Sequence, residues 1–281
     1  MMNPFRAFLC ALLLVLAAPA AYAAQCEPAK VAQDYPGYAT KTVTIAASPT
    51  DQPFAYSDPA NPGRLDGLEV EMIEKAMACA GLKYRFSKGA WSALLPALFS
   101  GAADVMIGSV NYTPERATRA DFILYMRAGQ SIVVAKGNPK HITSMGDLCG
   151  KIGSTDAVGT SAQAIKQQSK MCTDQGKPAI DFRPATDSDA SFRELINGRV
   201  DFVIDDTPAV AVRLKKEPGL QIAATVVTDI LSGMVVPKGN KEMLQAVANG
   251  LRIEQKDGTL AKLASKFGLD PKLLIPIEVR R

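Results

Sequence analysis

The segment "SVNYTPERATRADF", residues 109–122, places a cation where an anion would be welcome. Thr113 suits a helix N-cap, and Pro114 suits the first helical position, where its missing N–H removes no hydrogen bond. The pattern predicts a helix opening at "TPER". Arg116 then falls in the first turn, at the positive end of the helix dipole. A cation there is unfavourable by a few tenths to ~1 kcal/mol. A bound anion would offset that cost. A planar guanidinium can hold a carboxylate through two parallel hydrogen bonds, and helix N–H groups would add donors to the same anion. Taken alone, an arginine at this position also fits a solvated surface.

Three other polar segments carry chemistry: "ASPTDQPF" at 47–54, "AVGTSAQ" at 157–163 and "DDTPA" at 205–209. "GTS" before a helix is often only a cap. Asp206, two residues before Pro208, also reads as a cap, and Asp205 beside it is a rival for any functional role. Signs of catalysis are sparse: there is no G-x-S-x-G elbow and no phosphate loop. The single histidine, His141, lies on a Pro-rich connection and is expected to be solvated. One histidine and no paired cysteine motif argue against a metal site. No cofactor is expected.

The elements that must position these segments follow from periodicity. "TVTIAAS" (42–48) reads as a buried strand, and "DQPFAYSDPANPGRLDG" (51–67) as a turn-rich loop. Leu68, Met72, Ala76 and Cys79 recur at helical spacing before a Gly81 stop. "KYRFS" is a strand, "WSALLPALFSG" a short helix and "ADVMIGSV" a strand, and "TPERATRAD" opens another helix. The pattern restarts after "GQSIVVAKGNPK" (129–140). "SMGDLCGKIGST" gives a turn and strand, "VGTSAQAIKQQSKMC" a helix. "SDASFRELINGRVDFVIDDTPAVAVRLKK" gives helix, strand, helix, and "GMVVPKGN" one more strand. Helices over 241–258 and 259–268 end the chain. Alternating strands and helices predict a parallel α/β sheet. Ligands of such sheets gather beyond the carboxyl ends of the strands, where the four polar segments lie.

The 281 residues suit two modest domains. The formal charge of +4 is mild, and its lysines and arginines are scattered, so no nucleic-acid partner is expected. "MMNPFR", an apolar run and "AYA" together read as a secretory signal peptide, 1–23, cut after Ala23. The apolar run is short for a membrane span. "AAQC" lacks the leucine of a lipoprotein box. An exported, periplasmic protein is therefore expected. Of five cysteines, Cys10 would leave with the signal. The remaining four allow three disulfide pairings. The expected one joins Cys149 to Cys172, closing a local loop, and Cys26 to Cys79, tying an N-terminal arm (24–40) to the first helix.

From about residue 41 to 270, the chain resembles the periplasmic amino-acid-binding proteins of ABC importers, solute-binding protein family 3. The matching segments are "DQPFAY", "LDGLEVEMIEKAM", "WSALLPALFSGAADVMIGSVNYTPERATRADF", "GQSIVVAKGN", "DLCGKIG", "VGTSA", "NGRVDFVIDDTPAV" and "VVPKGN", in the family's order. The resemblance implies a two-lobed periplasmic-binding-protein (type II) α/β fold with the ligand cleft between lobes joined by two crossing segments. Lobe 1 would comprise 41–126 and 231–281, and lobe 2 would comprise 127–230. It implies a monomer that closes on an amino acid or related carboxylate and docks on a membrane-embedded ABC permease. Arg116 would pair with the ligand α-carboxylate, Ser109 and Asn111 would contact ligand, and Gly159, Thr160 and Ser161 would grip the carboxylate from a second helix start. Asp206 would meet the α-ammonium, and Trp91 would form a cleft wall.

Two departures bear on the ligand side chain. Where many members place an acidic residue and then an aromatic platform, this chain has Ser48 and Asp51; the "D-P-Y" segment is replaced by "ILYM" at 123–126. Asp51 either faces the cleft, favouring a polar or cationic side chain, or caps its loop. Two other functions fit the same fold: an exported dehydratase of the cyclohexadienyl dehydratase type, using a cleft carboxylate as general acid, and a ligand-presenting sensor protein. The chain's lack of catalytic machinery favours the binder.

Overall fold

The computed structural model describes residues 26–281, the side chains of 227–229 excepted. The expected signal peptide, 1–23, lies outside the described residues. Among the described residues, twelve strands and nine α-helices follow in order. The first part holds α1 (Val31–Asp34), β1 (Val43–Ala47), β2 (Thr50–Asp51), β3 (Ala55–Asp58), β4 (Asn61–Asp66), α2 (Leu68–Ala80), β5 (Tyr84–Lys88), α3 (Trp91–Phe99), β6 (Val105–Asn111), α4 (Pro114–Ala117) and β7 (Ala120–Ala135). Next come β8 (Ile152–Asp156), α5 (Thr160–Asp174), β9 (Asp181–Ala185), α6 (Ser188–Ile196), β10 (Phe202–Asp206), α7 (Thr207–Arg213) and β11 (Leu220–Pro237). Then α8 (Lys241–Lys256), α9 (Thr259–Lys266) and β12 (Leu274–Arg280) complete the chain.

One nine-stranded sheet runs through the molecule in the order β5-β1-β6-β11-β7-β10-β8-β9, with β12 added on β7. Strands β1, β5 and β6 are parallel, as are β8, β9 and β10. Strands β7 and β11, 16 and 18 residues long, are the crossing segments. They pair antiparallel from Ala120↔Pro237 to Ala135↔Leu220. The sheet is therefore mixed, not parallel as expected: β11 meets β6 and β10 meets β7 antiparallel. A strand that passes from one half to the other and back must reverse direction. Arg127 pairs with Leu231 midway along, so the sequence-based lobe boundaries fall inside continuous strands.

Each half packs helices on both sheet faces. In the first, Val105, Ile107, Ile123 and Tyr125 face α2, α8 and α9, while Met106, Phe122 and Leu124 face α3. The alternation is the period-2 pattern of a strand buried on both sides. In the second half, Ile132 and Val134 share one core with Ile165, and Val133 shares the other with Phe192. Helix α2 stops at Gly81, whose φ of +70° suits a left-handed cap. It packs against α8 closely enough that a Cβ at Gly250 would lie 2.5 Å from the Ala76 Cβ.

Both expected disulfides are present, Cys26–Cys79 and Cys149–Cys172. The N-terminal arm is also held by Asp104, which accepts from Tyr38 Oη, Lys41 Nζ and the Thr44 amide. Two more expectations are corrected. "TPERATRAD" makes only a single helical turn, α4, because Ala120 already begins β7. The 51–67 segment is a small three-stranded antiparallel sheet, not a loop. Strands β9 and β12 carry no counterpart in the sequence pattern.

The lobes are closed on each other. Val212 of α7 packs in the core of the first half, Lys215 donates to the Gly268 carbonyl (3.0 Å) and Lys216 to Gln52 Oε1 (3.2 Å).

Candidate functional site

The cleft between the halves is built first from β6. Within this strand Gly108 and Ser109 are both at positive φ, +127° and +52°. The buried Glu69 carboxylate holds this end, accepting the Gly108 N–H and the Tyr125 hydroxyl (2.7 Å). A Cβ at Gly108 would stand 2.6 Å from Asp51 Oδ2 and 2.7 Å from Trp91 Cζ3, so only glycine lets both side chains close over the strand.

Beyond Asn111 the chain turns into α4. Thr113 Oγ1 accepts the Arg116 N–H (3.1 Å), the cap read from sequence. The Arg116 side chain folds back, and Nη1 donates to the Asn111 carbonyl (2.8 Å). A one-turn helix has few aligned peptide dipoles. The strain on Arg116 therefore comes from burial: desolvation lowers its pKa, while Asp206 pushes it back up.

From the other half, β8 delivers Asp156, and Gly159 (φ +121°) starts the 15-residue α5. A Cβ at Gly159 would lie 3.8 Å from Trp91 Nε1 and 4.0 Å from Arg116 Nη2. The start of a full-length helix thus lies beside a guanidinium across the cleft. Gln130, on β7, donates to Thr160 Oγ1 (2.9 Å) and Ser161 Oγ (2.8 Å), fixing this start to the crossing strand. Asn111 Nδ2 spans the lobes, reaching Thr160 Oγ1 (3.0 Å) and Asp206 Oδ1 (3.1 Å).

Asp206 begins α7 but makes no side-chain cap. Its carboxylate faces Asn111 instead. Asp205 is engaged otherwise: it accepts from Ser188 Oγ (2.5 Å) and from the Asp206 N–H (2.8 Å). The two rivals are thereby separated, one facing across the cleft and one bracing it.

The structure brings Arg116, Asn111, Gly159, Thr160, Ser161, Asp206, Trp91 and Asp51 to one cleft. Ser109 is not among the lining residues; its hydroxyl donates to Ser232 Oγ (2.9 Å). His141 is exposed and away from the cleft. Sequence reasoning missed Asp156, Asp187 and Ser188, all lining residues. Asp156 ends β8, three residues before "GTS", and the strand-end rule marks that position.

The lining carries five carboxylates, those of Asp51, Asp156, Asp187, Asp205 and Asp206, and one cation, Arg116. Burial first, then the neighbouring Asp205, raise both Asp156 and Asp206 to about 7. Burial, then Glu69, hold Asp51 well above the usual carboxylate range. No cluster of metal-binding side chains occurs among the described residues.

This cleft sits in a chain whose residues 43–270 match the profile of the bacterial extracellular solute-binding proteins, family 3. The chain belongs to that family. The L-cystine-binding protein TcyJ of Escherichia coli K12 is 30% identical over 232 residues, covering 82% of this chain and 84% of that protein. A solved structure described as an ancestral arginine-binding protein bound to arginine superposes with a TM-score of 0.73 at 32% identity, covering 81% of this chain and 98% of that one. An ancestral amino acid-binding protein described as a precursor of cyclohexadienyl dehydratase has a TM-score of 0.68 at 29% identity, covering 80% of this chain and 95% of that one. The two-lobed fold of this family 3 member is thus the fold of amino-acid-binding proteins.

Proposed function

We propose that this family 3 protein captures an amino acid or related zwitterionic carboxylate by lobe closure and delivers it to a membrane-embedded ABC permease. It works outside the cytoplasm, as a monomer. The observation that carries the reading is the facing pair of anion-seeking groups. Arg116 Nη2 comes within 4.0 Å of a Cβ position at Gly159, where α5 presents its free N–H groups. Arg116 supplies the guanidinium and Gly159, Thr160 and Ser161 the helix start, so a carboxylate between them is held from both lobes. Asp206 stands ready for the α-ammonium. Ser109 contributes by shaping the β6 end, and Trp91 by walling the cleft.

Closure and binding are coupled because the donors come from different lobes. Ligand favours the closed form only through contacts it makes with both at once. Truncating one member of a buried charged pair removes ~2–5 kcal/mol. Arg116→Ala is therefore expected to weaken amino-acid binding by roughly 30-fold or more. Isothermal titration with a panel of amino acids measures it. An unchanged affinity in a folded variant contradicts the assignment.

A second reading has one observation in its favour. Asp156 and Asp206, raised to about 7, are suited to donate a proton, and one structural relative is described as a precursor of cyclohexadienyl dehydratase. That relative is itself described as an amino acid-binding protein, which favours capture. Conversion of prephenate or arogenate by the purified protein would reverse the preference.

A further inference from the structure

We propose that Asp51 and Asp156, reaching the cleft from opposite lobes, form a second cation subsite, and that the ligand is an amino acid with a positively charged side chain. The proposal rests on reading the cleft as an amino-acid site, and it goes further by fixing the charge of the ligand side chain. Asp51 Oδ2 and Asp156 Oδ1 are both buried with no hydrogen-bond partner. Both residues line the cleft. The loop-cap alternative for Asp51 finds no support, since Oδ2 lies against Gly108 and Trp91, inside the cleft. Asn111 Oδ1, on a residue only 5% exposed, is a third buried acceptor without a donor.

Among the described lining residues, the buried side-chain atoms left without a partner are all acceptors, so the missing group is a donor. A neutral apolar side chain would close over two unpaired carboxylates, which is costly in a dry cleft. The charges also have an order. Trp91 lies between the two ends: a Cβ at Gly159 would stand 3.8 Å from its Nε1 and 4.0 Å from Arg116 Nη2, and a Cβ at Gly108 would stand 2.7 Å from its Cζ3 and 2.6 Å from Asp51 Oδ2. Asp206 accepts from Asn111, whose carbonyl holds Arg116. A ligand laid along the cleft meets a cation, then an anion, then an anionic pair. The complementary molecule carries a carboxylate, an ammonium and a distal cation. Cystine fits this order poorly, although a relative is named for binding it. Its second carboxylate needs a second cationic partner, and Arg116 is the only cationic side chain among the described lining residues.

Isothermal titration of the folded, full protein with L-lysine, L-arginine, L-citrulline, L-glutamine and L-cystine tests this. L-citrulline matters most, because it keeps the shape of arginine without its charge. L-arginine or L-lysine should bind at least ~10-fold tighter than the neutral ligands and cystine, and Asp51→Asn and Asp156→Asn should each shrink that gap. Equal or tighter binding of citrulline, glutamine or cystine overturns the cation subsite and leaves amino-acid capture standing. A cation preference untouched by both substitutions overturns the assignment to these residues. No binding by any of the five removes the underlying capture reading as well.

Discussion

The two ends of the cleft are built on opposite terms. At the Arg116 end, polar groups are already paired and oriented. Arg116 is anchored on the Asn111 carbonyl, and Thr160 and Ser161 are anchored on Gln130. At the Asp51 end, carboxylates crowd together with bare oxygens on both Asp51 and Asp156. In the proposed function, the first end receives the α-carboxylate and α-ammonium that all the candidate ligands share. The second is unfavourable until something positive arrives. Affinity for the common backbone and choice among side chains are thus separate properties of separate residues.

Breaking the ready end should give the largest effect. Arg116→Ala should lower affinity for every amino acid that binds, by the ~2–5 kcal/mol of a truncated buried pair, with little change in which one binds best. Titration across the panel checks both parts. Gly108→Ala comes next, because Gly108 lies directly under Asp51 and Trp91. Its positive φ and the 2.6 and 2.7 Å approaches of Asp51 and Trp91 leave no room for a methyl group. A loss of ~1–3 kcal/mol in stability is expected, read from chemical denaturation.

The crowded end can be relieved by protons. In the ligand-free protein, Asp156 and Asp206 titrate at about 7, above their unfolded value. Their protonated forms favour the fold, so this stability is fully present below the unfolded pKa, near 4, and is lost as pH rises through about 7. The ligand-free melting temperature should therefore fall between pH 5 and pH 8. A cationic ligand favours the ionised carboxylates and so reverses the trend. Affinity for L-lysine should drop by about 10-fold from pH 8 to pH 6, for one coupled carboxylate. Asp187 and Asp189 also act on Asp156, so Asp187→Asn should shift this profile to lower pH.

The smallest effect lies away from both ends and serves as their reference. Glu254, on α8, is buried with neither oxygen bonded, and burial pushes it up to about 8. Its contribution to stability is likewise lost as pH rises toward 8. Glu254→Gln should raise the melting temperature at pH 9 by a few degrees, leave it nearly unchanged at pH 5, and not alter ligand affinity. A ligand effect here would mean that the acidic cleft is not the origin of the pH dependence.

The ready end was the legible one. "TPER" and "GTS" carry local cap and turn chemistry, so Arg116 and the α5 start could be found from short segments. Asp156 carried no such signal, because its meaning depends on the opposite lobe closing over it. The helix dipole acts little on Arg116, since α4 is one turn long and burial is what constrains the guanidinium. Among the strands hidden from periodicity, three share a cause. Strands β4, β9 and β12 contain Pro62, Pro184 and Pro276, and none lies at the centre of a sheet, whereas β2 and β3, with two and four residues, are too short to show a period. Proline is tolerated at sheet edges and bulges, yet it reads as a strand breaker in sequence. Of the crossing strands β7 and β11, only the end of β11, "GMVVPKGN", reads as a strand in sequence, because the register shifts at several points along the pair.

A crystal structure of the closed protein loaded with L-arginine or L-lysine would settle whether the two ends divide the ligand as described. The α-carboxylate should lie within hydrogen-bond distance of both the Arg116 guanidinium and the amides at the start of α5, with the distal cation against Asp51 and Asp156. Arg116 turned to solvent, with the ligand carboxylate held by other groups, would contradict that division at its root.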